Sequence, residues 1–550
     1  MKITGPVKEL LKRRGITEEK DIEEYMSPRP RVTYDPFLMK GMKEATELIL
    51  SHANKGSRIC IYGDYDCDGV TAVYLLSCVL AELMERDKID HYIPSRFTEG
   101  YGLNNEAIKE IADRGTNLII TVDLGISQSE EVEYAKSLGM DIIVTDHHNT
   151  GTVIPDCIVL DPKQEDCGYP FDGICGCGVA YKLSQALQRT VGFDRSVILR
   201  LLDIAGIATI GDVVPLVDEN RTIAKYGLYE IKTGRRENIR ILLEEMSRDY
   251  TRIDSYGISF GIVPHINAAG RMSSAETALA LLEADNTADI RENAQTLAQY
   301  NAQRKSVQQE AFERSMELME TQCPDSLLPV IRDDEAHEGI VGIVAGKICE
   351  KLHRPVIVLT EKDGKLKGSG RSIDEVDLFS VVSKSRHLLE RFGGHKAACG
   401  LTIDSEEKLE LLRKELDDEM KRLVEEESDL LNFEGKYDMV LEPEEVTLRL
   451  AEEIQSMEPF GNGNEKPAFR INDMQLSRGF LMGEMKNHLK FNAEKNGRII
   501  ECVMFYVEPE YVDIVFKEPV VDIIGKASVN EFRGRRSVQF IVDRILEKQR

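Results

Sequence analysis

Residues 58–72 read RICIYGDYDCDGVTA: a short apolar strand, a carboxylate-rich turn and the start of a helix. Asp64, Asp66 and Asp68 alternate through the turn, and Gly69 lets the backbone leave it at a permissive φ. Like charges this close repel one another unless a cation lies among them. Divalent metals take carboxylate oxygens readily. An Asp/Gly loop that only caps the next helix accounts for this stretch equally well. The neighbouring sequence decides between the two.

Outward from that turn, between about residues 56 and 160, the apolar runs ICIY, LIITV, DIIVT and CIVL alternate with helical stretches at 69–86, 105–113 and 128–138. Near-continuous apolar strands separated by helices predict a parallel sheet covered on both faces. Ligands of such sheets collect beyond the carboxyl ends of the strands. Acidic residues and histidines stand there: Asp64, Asp66 and Asp68 after the first run, Asp123 after the second, and Asp146, His147 and His148 after the third. Asp212 follows the apolar helix LLDIAGIATI. Each alone has an ordinary reading, as a helix cap for Asp123, a loop carboxylate for Asp212 or a solvated turn for the histidines. Together on one sheet edge they predict a metal site.

Residues 1–45 read as an arm of short helices broken at Gly15, and 46–285 as the catalytic α/β domain with a mainly helical second half. Arg271 falls in a small-residue stretch that suits either a phosphate or a plain helix-capping loop. Residues 286–322 contain no Gly or Pro and predict one long, exposed linking helix. A second, smaller α/β domain follows at 323–432. Its glycine-rich segments GSGRS and FGGHKAACG, with Arg371 and His395, read as turns, either cradling an anion or simply tight. In 433–550, five short strands predict a small β-barrel. Lys486, Lys490, Arg533, Arg535 and Arg536 near Phe491 and Phe532 suit a stacked single strand. Core packing accounts for some of these aromatics as well.

The 550 residues suggest about three to four domains. No apolar run reaches the roughly 18 residues of a membrane span, and the first residues lack the apolar core of a signal peptide. Eleven cysteines without a CxxC pair point to reduced thiols in the cytoplasm. A net charge of −26 argues against indiscriminate polyanion binding, so a nucleic acid would have to be held by metals and a local basic groove.

In this order the motifs resemble the DHH phosphoesterase superfamily and, within it, the RecJ family of bacterial single-strand DNA exonucleases. GDYDCDG, TVDLG, TDHH and GDVVPL resemble the four metal motifs, and FGGHKAACG the signature of the DHH-associated domain. PSRFTEGYGL, NAAGRM and EPFGNGNEKPAF resemble segments more particular to RecJ. The resemblance implies a parallel-sheet DHH domain, a DHH-associated domain and a C-terminal OB-fold barrel. It implies Asp66, Asp68, Asp123, His147 and Asp212 as ligands of two Mn²⁺ or Mg²⁺ ions, with Asp64 additional. His148 would contact the scissile phosphate and Asp146 would orient His147, completing the catalytic set. Arg271, Ser369, Arg371, Gly394 and His395 would hold substrate phosphates, and Arg96 and Tyr101 would steer and stack the incoming strand. Tyr62 departs from the pattern, standing where many superfamily members have a histidine. That departure predicts one metal bound more weakly or leaning on Asp64.

The implied activity is 5′→3′ hydrolysis of single-stranded DNA to 5′-mononucleotides, in DNA repair and recombination, by a monomer. A nitrogen ligand such as His147 tilts the preference toward Mn²⁺. A single-strand-binding protein and a RecQ-like helicase are compatible partners. Two alternatives are hydrolysis of short RNA or cyclic dinucleotides at the same site, and a non-catalytic single-strand-binding scaffold.

Overall fold

The computed structural model describes residues 3–96, 98–362, 364–428, 430–431 and 435–547. The chain divides into two units, residues 1–301 with 437–550, and residues 302–436.

In the first unit, strands β1 (Ile59–Gly63), β2 (Ile89–Tyr92), β3 (Leu118–Val122), β4 (Asp141–Thr145) and β5 (Ile158–Leu160) form an all-parallel sheet ordered β2-β1-β3-β4-β5. The chain leaves β1 for β2 on one side and returns to β3 on the other, so the switch point lies between β1 and β3. Both faces are covered. Ile59 and Ile61 enter a large helical core, while Cys60 and Tyr62 enter a smaller one built on helix Asn105–Asp113. β2, sequence IDHY, is absent from the sequence reading because half-buried edge residues show no apolar run. The helix expected at 69–86 is Cys67–Leu80.

Helix Thr287–Gln322 runs unbroken for 36 residues. It is not an exposed rod: Ile290, Ala294 and Leu297 are buried in the first unit's core, and Ala311 in the second's.

The second unit holds a mixed sheet of β6 (Val330–Arg332), β7 (Val356–Lys362), β8 (Lys365–Arg371), β9 (Arg391–His395) and β10 (Ala398–Ile403), ordered β6-β7-β8-β10-β9. Of the two expected glycine-rich turns, GSGRS lies almost wholly in β8, whereas FGGHKAACG is a hairpin whose turn is Lys396–Ala397 and whose glycines lie in β9 and β10. A Cβ on Gly368 would lie 2.4 Å from the Val358 carbonyl oxygen, and one on Gly394 the same distance from that of Ala398. Glycine is what lets these strands lie so close, and it erases the alternation that would have marked them.

The C-terminal barrel, part of the first unit, comprises β11 (Met439–Val440), β12 (Phe469–Met482), β13 (His488–Lys495), β14 (Arg498–Met504), β15 (Val520–Phe532) and β16 (Arg535–Glu547). The pairing of β12 with β15 closes it. Phe469, Phe491 and Phe540 fill it, so Phe491 is core, whereas Phe532 is exposed with Arg533 5.2 Å from its ring centre. The N-terminal helices Gly5–Arg13 and Glu19–Met26 belong to this core: Val7, Leu10, Leu11 and Met26 are buried beside Leu450 and Ile454.

Candidate metal centre

Register places the acidic residues. Gly63 pairs with Val122, Val122 with Thr145 and Thr145 with Leu160. The next residue on each strand is an aspartate: Asp64, Asp123, Asp146 and Asp161. Four neighbouring parallel strands thus end on carboxylates in one row. Asp161 escaped the sequence reading, although it follows CIVL just as Asp123 follows LIITV.

Asp66 caps helix Cys67–Leu80, its carboxylate accepting from the N–H groups of Asp68 (2.9 Å) and Gly69 (3.1 Å). A Cβ on Gly69 would come within 2.5 Å of the Asp64 backbone, so only glycine closes this turn. Asp68 is buried and accepts from the N–H groups of Gly176 (2.6 Å) and Cys177 (2.9 Å), the first turn of helix Gly176–Val191. That helix end supplies partial positive charge to the carboxylate. Asp123 holds a left-handed φ of 65°, uncommon for a residue with a side chain. Asp212 ends helix Leu202–Gly211.

These groups converge. His147 Nε2 lies 3.0 Å from Asp123, 3.6 Å from Asp212 and 3.9 Å from Asp68. Ligand atoms group within 4.8 Å as Asp64–Asp66–Asp123, Asp68–His147–Asp212 and Asp123–His147–His148. Asp123 and His147 each belong to two of the groups. One oxygen of Asp64, one of Asp123 and both ring nitrogens of His147 are buried without a hydrogen-bond partner. Unsatisfied buried polar atoms are costly. Oxygen donors plus one imidazole, lacking internal partners, fit a divalent cation.

Burial, then repulsion from neighbouring aspartates, drives the carboxyl pKa values up: Asp64 to about 7, Asp212 to about 9, and Asp123 well above its usual range. Burial holds His147 below its ordinary value, as the neutral imidazole a metal needs. Asp146 differs. Burial pulls its pKa upward, but the His148 hydrogen bond and charge, with N–H groups from Ile126 and His147, outweigh it and keep the carboxylate ionised. His148 is held above its ordinary value, the Asp146 interaction overcoming burial.

Two expectations are corrected here. Asp146 bonds the ring of His148 (Nδ1–Oδ1 2.7 Å) and touches His147 only through that residue's backbone N–H, because the turn aims the two rings differently. Tyr62 points away from the site. Its hydroxyl donates to Gly102 (3.1 Å) and accepts from Asn104 (3.2 Å), and its ring stacks on Tyr92, as strand alternation after Ile61 requires. Tyr62 therefore contributes no ligand atom to this cluster.

Of the expected substrate contacts, Tyr101 reaches the site, its hydroxyl 3.3 Å from the Asp123 carbonyl and 3.4 Å from His148 Nδ1. Arg96 lies 5.1 Å over the Tyr65 ring, and its charge acts on Asp64. Arg271 is not in a loop but in the last turn of helix Val263–Met272. The same helix caps the motif turn, Asn267 accepting from the Cys67 N–H at 2.7 Å. Lys163, missed in the sequence, adds positive charge felt by Asp212, His147, His148 and Asp161.

In the second unit, Arg371 and Ala398 are paired, as are Ala398 and His395, so Arg371 and His395 share a sheet face with Ser369. Arg371 donates to Ser369 Oγ at 2.8 Å. A Cβ on Gly342, in the first turn of helix Val341–Leu352, would lie 3.0 Å from Arg371 and 3.1 Å from Ser369. An arginine, a hydroxyl and a helix N-terminus together suit an anion. Gly394, beside His395, has a φ of 150°.

Residues 58–210 match the DHH family, N-terminal domain, residues 326–422 the DHHA1 domain and residues 437–544 the RecJ OB domain. The chain is 35% identical over 543 residues to the single-stranded-DNA-specific exonuclease RecJ of Bacillus subtilis, covering 98% of this chain and 68% of that one. It is also 35% identical to the RecJ of Escherichia coli, with 92% and 90% covered. Among solved structures it is similar to RecJ of Thermus thermophilus in complex with Mn²⁺, with a TM-score of 0.81 at 27% identity over 100% of this chain and 76% of that one.

Proposed function

This chain belongs to the RecJ family of single-stranded-DNA-specific exonucleases, and from that premise we propose that it degrades single-stranded DNA from the 5′ end to 5′-mononucleotides. The observation that carries the reading is the cluster of buried, unpartnered ligand atoms shared through Asp123 and His147.

Asp64, Asp66, Asp68, Asp123, His147 and Asp212 would hold two Mn²⁺ or Mg²⁺ ions. When bound, these ions supply an activated water and offset the charge building on the scissile phosphate. Asp123, present in two ligand groups, would be the residue shared between the two ions. His148, whose pKa the Asp146 bond raises, would donate to that phosphate. Arg96 and Tyr101 guide the strand, and Arg271 holds a phosphate beside the motif turn. Ser369, Arg371, Gly394 and His395 recognise the 5′ end. The barrel's exposed Phe532 and Arg533 suit a strand passing over it.

The proposal extends to a monomer working in the cytoplasm in DNA repair and recombination, fed by a single-strand-binding protein and a RecQ-like helicase. Eleven free cysteines fit a reducing compartment. No helix among the described residues is long and apolar enough to cross a membrane. Residues 46–285 form the catalytic domain in this reading, and 323–432 the end-recognising one.

The test is a 3′-labelled, 5′-phosphorylated single strand incubated with Mn²⁺. Stepwise shortening with unlabelled 5′-mononucleotides is expected, abolished by EDTA, by Asp123→Ala and by a 5′ block. Cleavage of short RNA or cyclic dinucleotides instead would keep the metal centre and refute the substrate.

A further inference from the structure

Residues 255–272 form one continuous helical run that passes the metal centre. Val263 lies against Gly211, Asn267 caps Cys67, and Gly270 packs so closely on Tyr65 that a Cβ would meet its carbonyl oxygen at 2.7 Å. Most of the run is buried, but one stripe is not. Tyr256 and Phe260 are each 62% exposed, and Pro264, Asn267 and Arg271 are half-buried.

Four-residue steps drift by about 40° on a regular α-helix, so such a stripe would normally spiral away. Here residues Ile258–Ile262 form a π-helical turn, closed by the bond from Val263 N–H to the Ile258 carbonyl. The two rings lie side by side, their centroids 4.5 Å apart and their planes 30° from parallel. Wide turns of this kind are uncommon and concentrate at functional sites. Two large rings stand side by side and mostly exposed, on the stripe that ends at Arg271. At the far end of the run, Arg252 reaches Glu531 of the barrel at 3.6 Å, beside the exposed Phe532.

We propose that Tyr256 and Phe260 form a stacking platform for bases of the single strand, on the 3′ side of the nucleotide at Arg271, along a track from the barrel to the metal centre. This rests on the nuclease reading above. By helix rise, Phe260 lies roughly 16 Å and Tyr256 roughly 22 Å from Arg271, so the platform meets nucleotides well removed from the bond being cut. It grips any base, because every base has a π-face.

The test compares wild type with Tyr256→Ala/Phe260→Ala on a strand of about 20 nucleotides, where losing stacked bases is expected to raise KM about tenfold or more while kcat changes little. Tyr256→Phe/Phe260→Tyr should restore the wild-type KM. Abasic sites at the nucleotides reaching the platform should raise the wild-type KM and leave the alanine variant unmoved. An unchanged KM in the alanine variant would overturn the platform while leaving the nuclease intact. A wild type that cleaves no single strand would instead overturn the underlying reading.

Discussion

Asp146 separates the roles of two histidines that are neighbours in sequence. Because its carboxylate bonds His148 and not the His147 ring, Asp146→Asn should lower turnover about 10–100-fold, as outer carboxylates do, without shifting the Mn²⁺ concentration for half-activity. The variant also removes what holds the His148 pKa up, so the alkaline limb of the pH–rate profile should move to lower pH. A changed metal midpoint with an unmoved limb would contradict this. Asp212 yields a second expectation. Pushed from 3.8 to about 9 by burial and by Asp68 and Asp66, it keeps in the folded metal-free chain a proton that the unfolded chain has released. The folded state therefore binds more protons, and the stripped protein loses stability as pH rises between those values. Bound metal relieves the repulsion, so the Tm gap between Mn²⁺-loaded and EDTA-treated protein should widen from mildly acidic to mildly alkaline pH. A constant gap would count against a metal-centred cluster. These carboxylates were legible in sequence because each ends an apolar run. The Asp146 partnership was not, because adjacent ring directions depend on the turn.

At the scale of elements, the first turn of helix Gly176–Val191 abuts the site. A Cβ on Gly176 would lie 2.6 Å from the Asp123 Cβ, so Gly176→Ala must push the helix off Asp68 or Asp123 out of the ligand cluster. A loss of about 1–3 kcal/mol is expected from the overlap, measured by denaturation, and on the proposed metal reading titration with Mn²⁺ should show weaker binding. Gly5→Ala, with nothing within 4 Å, is the control and should stay within about 0.5 kcal/mol. Glycine also explains the readings that failed at this scale. Segments around Gly368, Gly370 and Gly394 suggest turns, yet their missing side chains are what let strands β8, β9 and β10 pack closely. The parallel sheet was readable because buried strands are apolar throughout, and β2 was not because an edge strand lacks that pattern.

At the scale of the molecule, helices near residue 10 and strands near residue 540 share one core, a contact no local pattern could announce. Arg221 adds to it, donating to the carbonyls of Tyr25, Met457 and Glu458 from a buried position. Leu10→Ala should therefore cost about 2–5 kcal/mol, and hydrogen exchange should locate the loss in barrel strands β12–β16 rather than in β1–β5. Equal loss in both sheets would refute a barrel-centred role.

That shared core also sets a timetable for biosynthesis. Helices Gly5–Arg13 and Glu19–Met26 emerge from the ribosome ahead of their barrel partners and wait while roughly 430 residues are made, about 20–90 s at ordinary elongation rates. The catalytic sheet can form in that interval, but the barrel cannot close until its last strands arrive. A nascent chain can therefore assemble the carboxylate cluster before the barrel is complete, and a chain terminated early leaves Leu10 and Leu11 without the core they share with it.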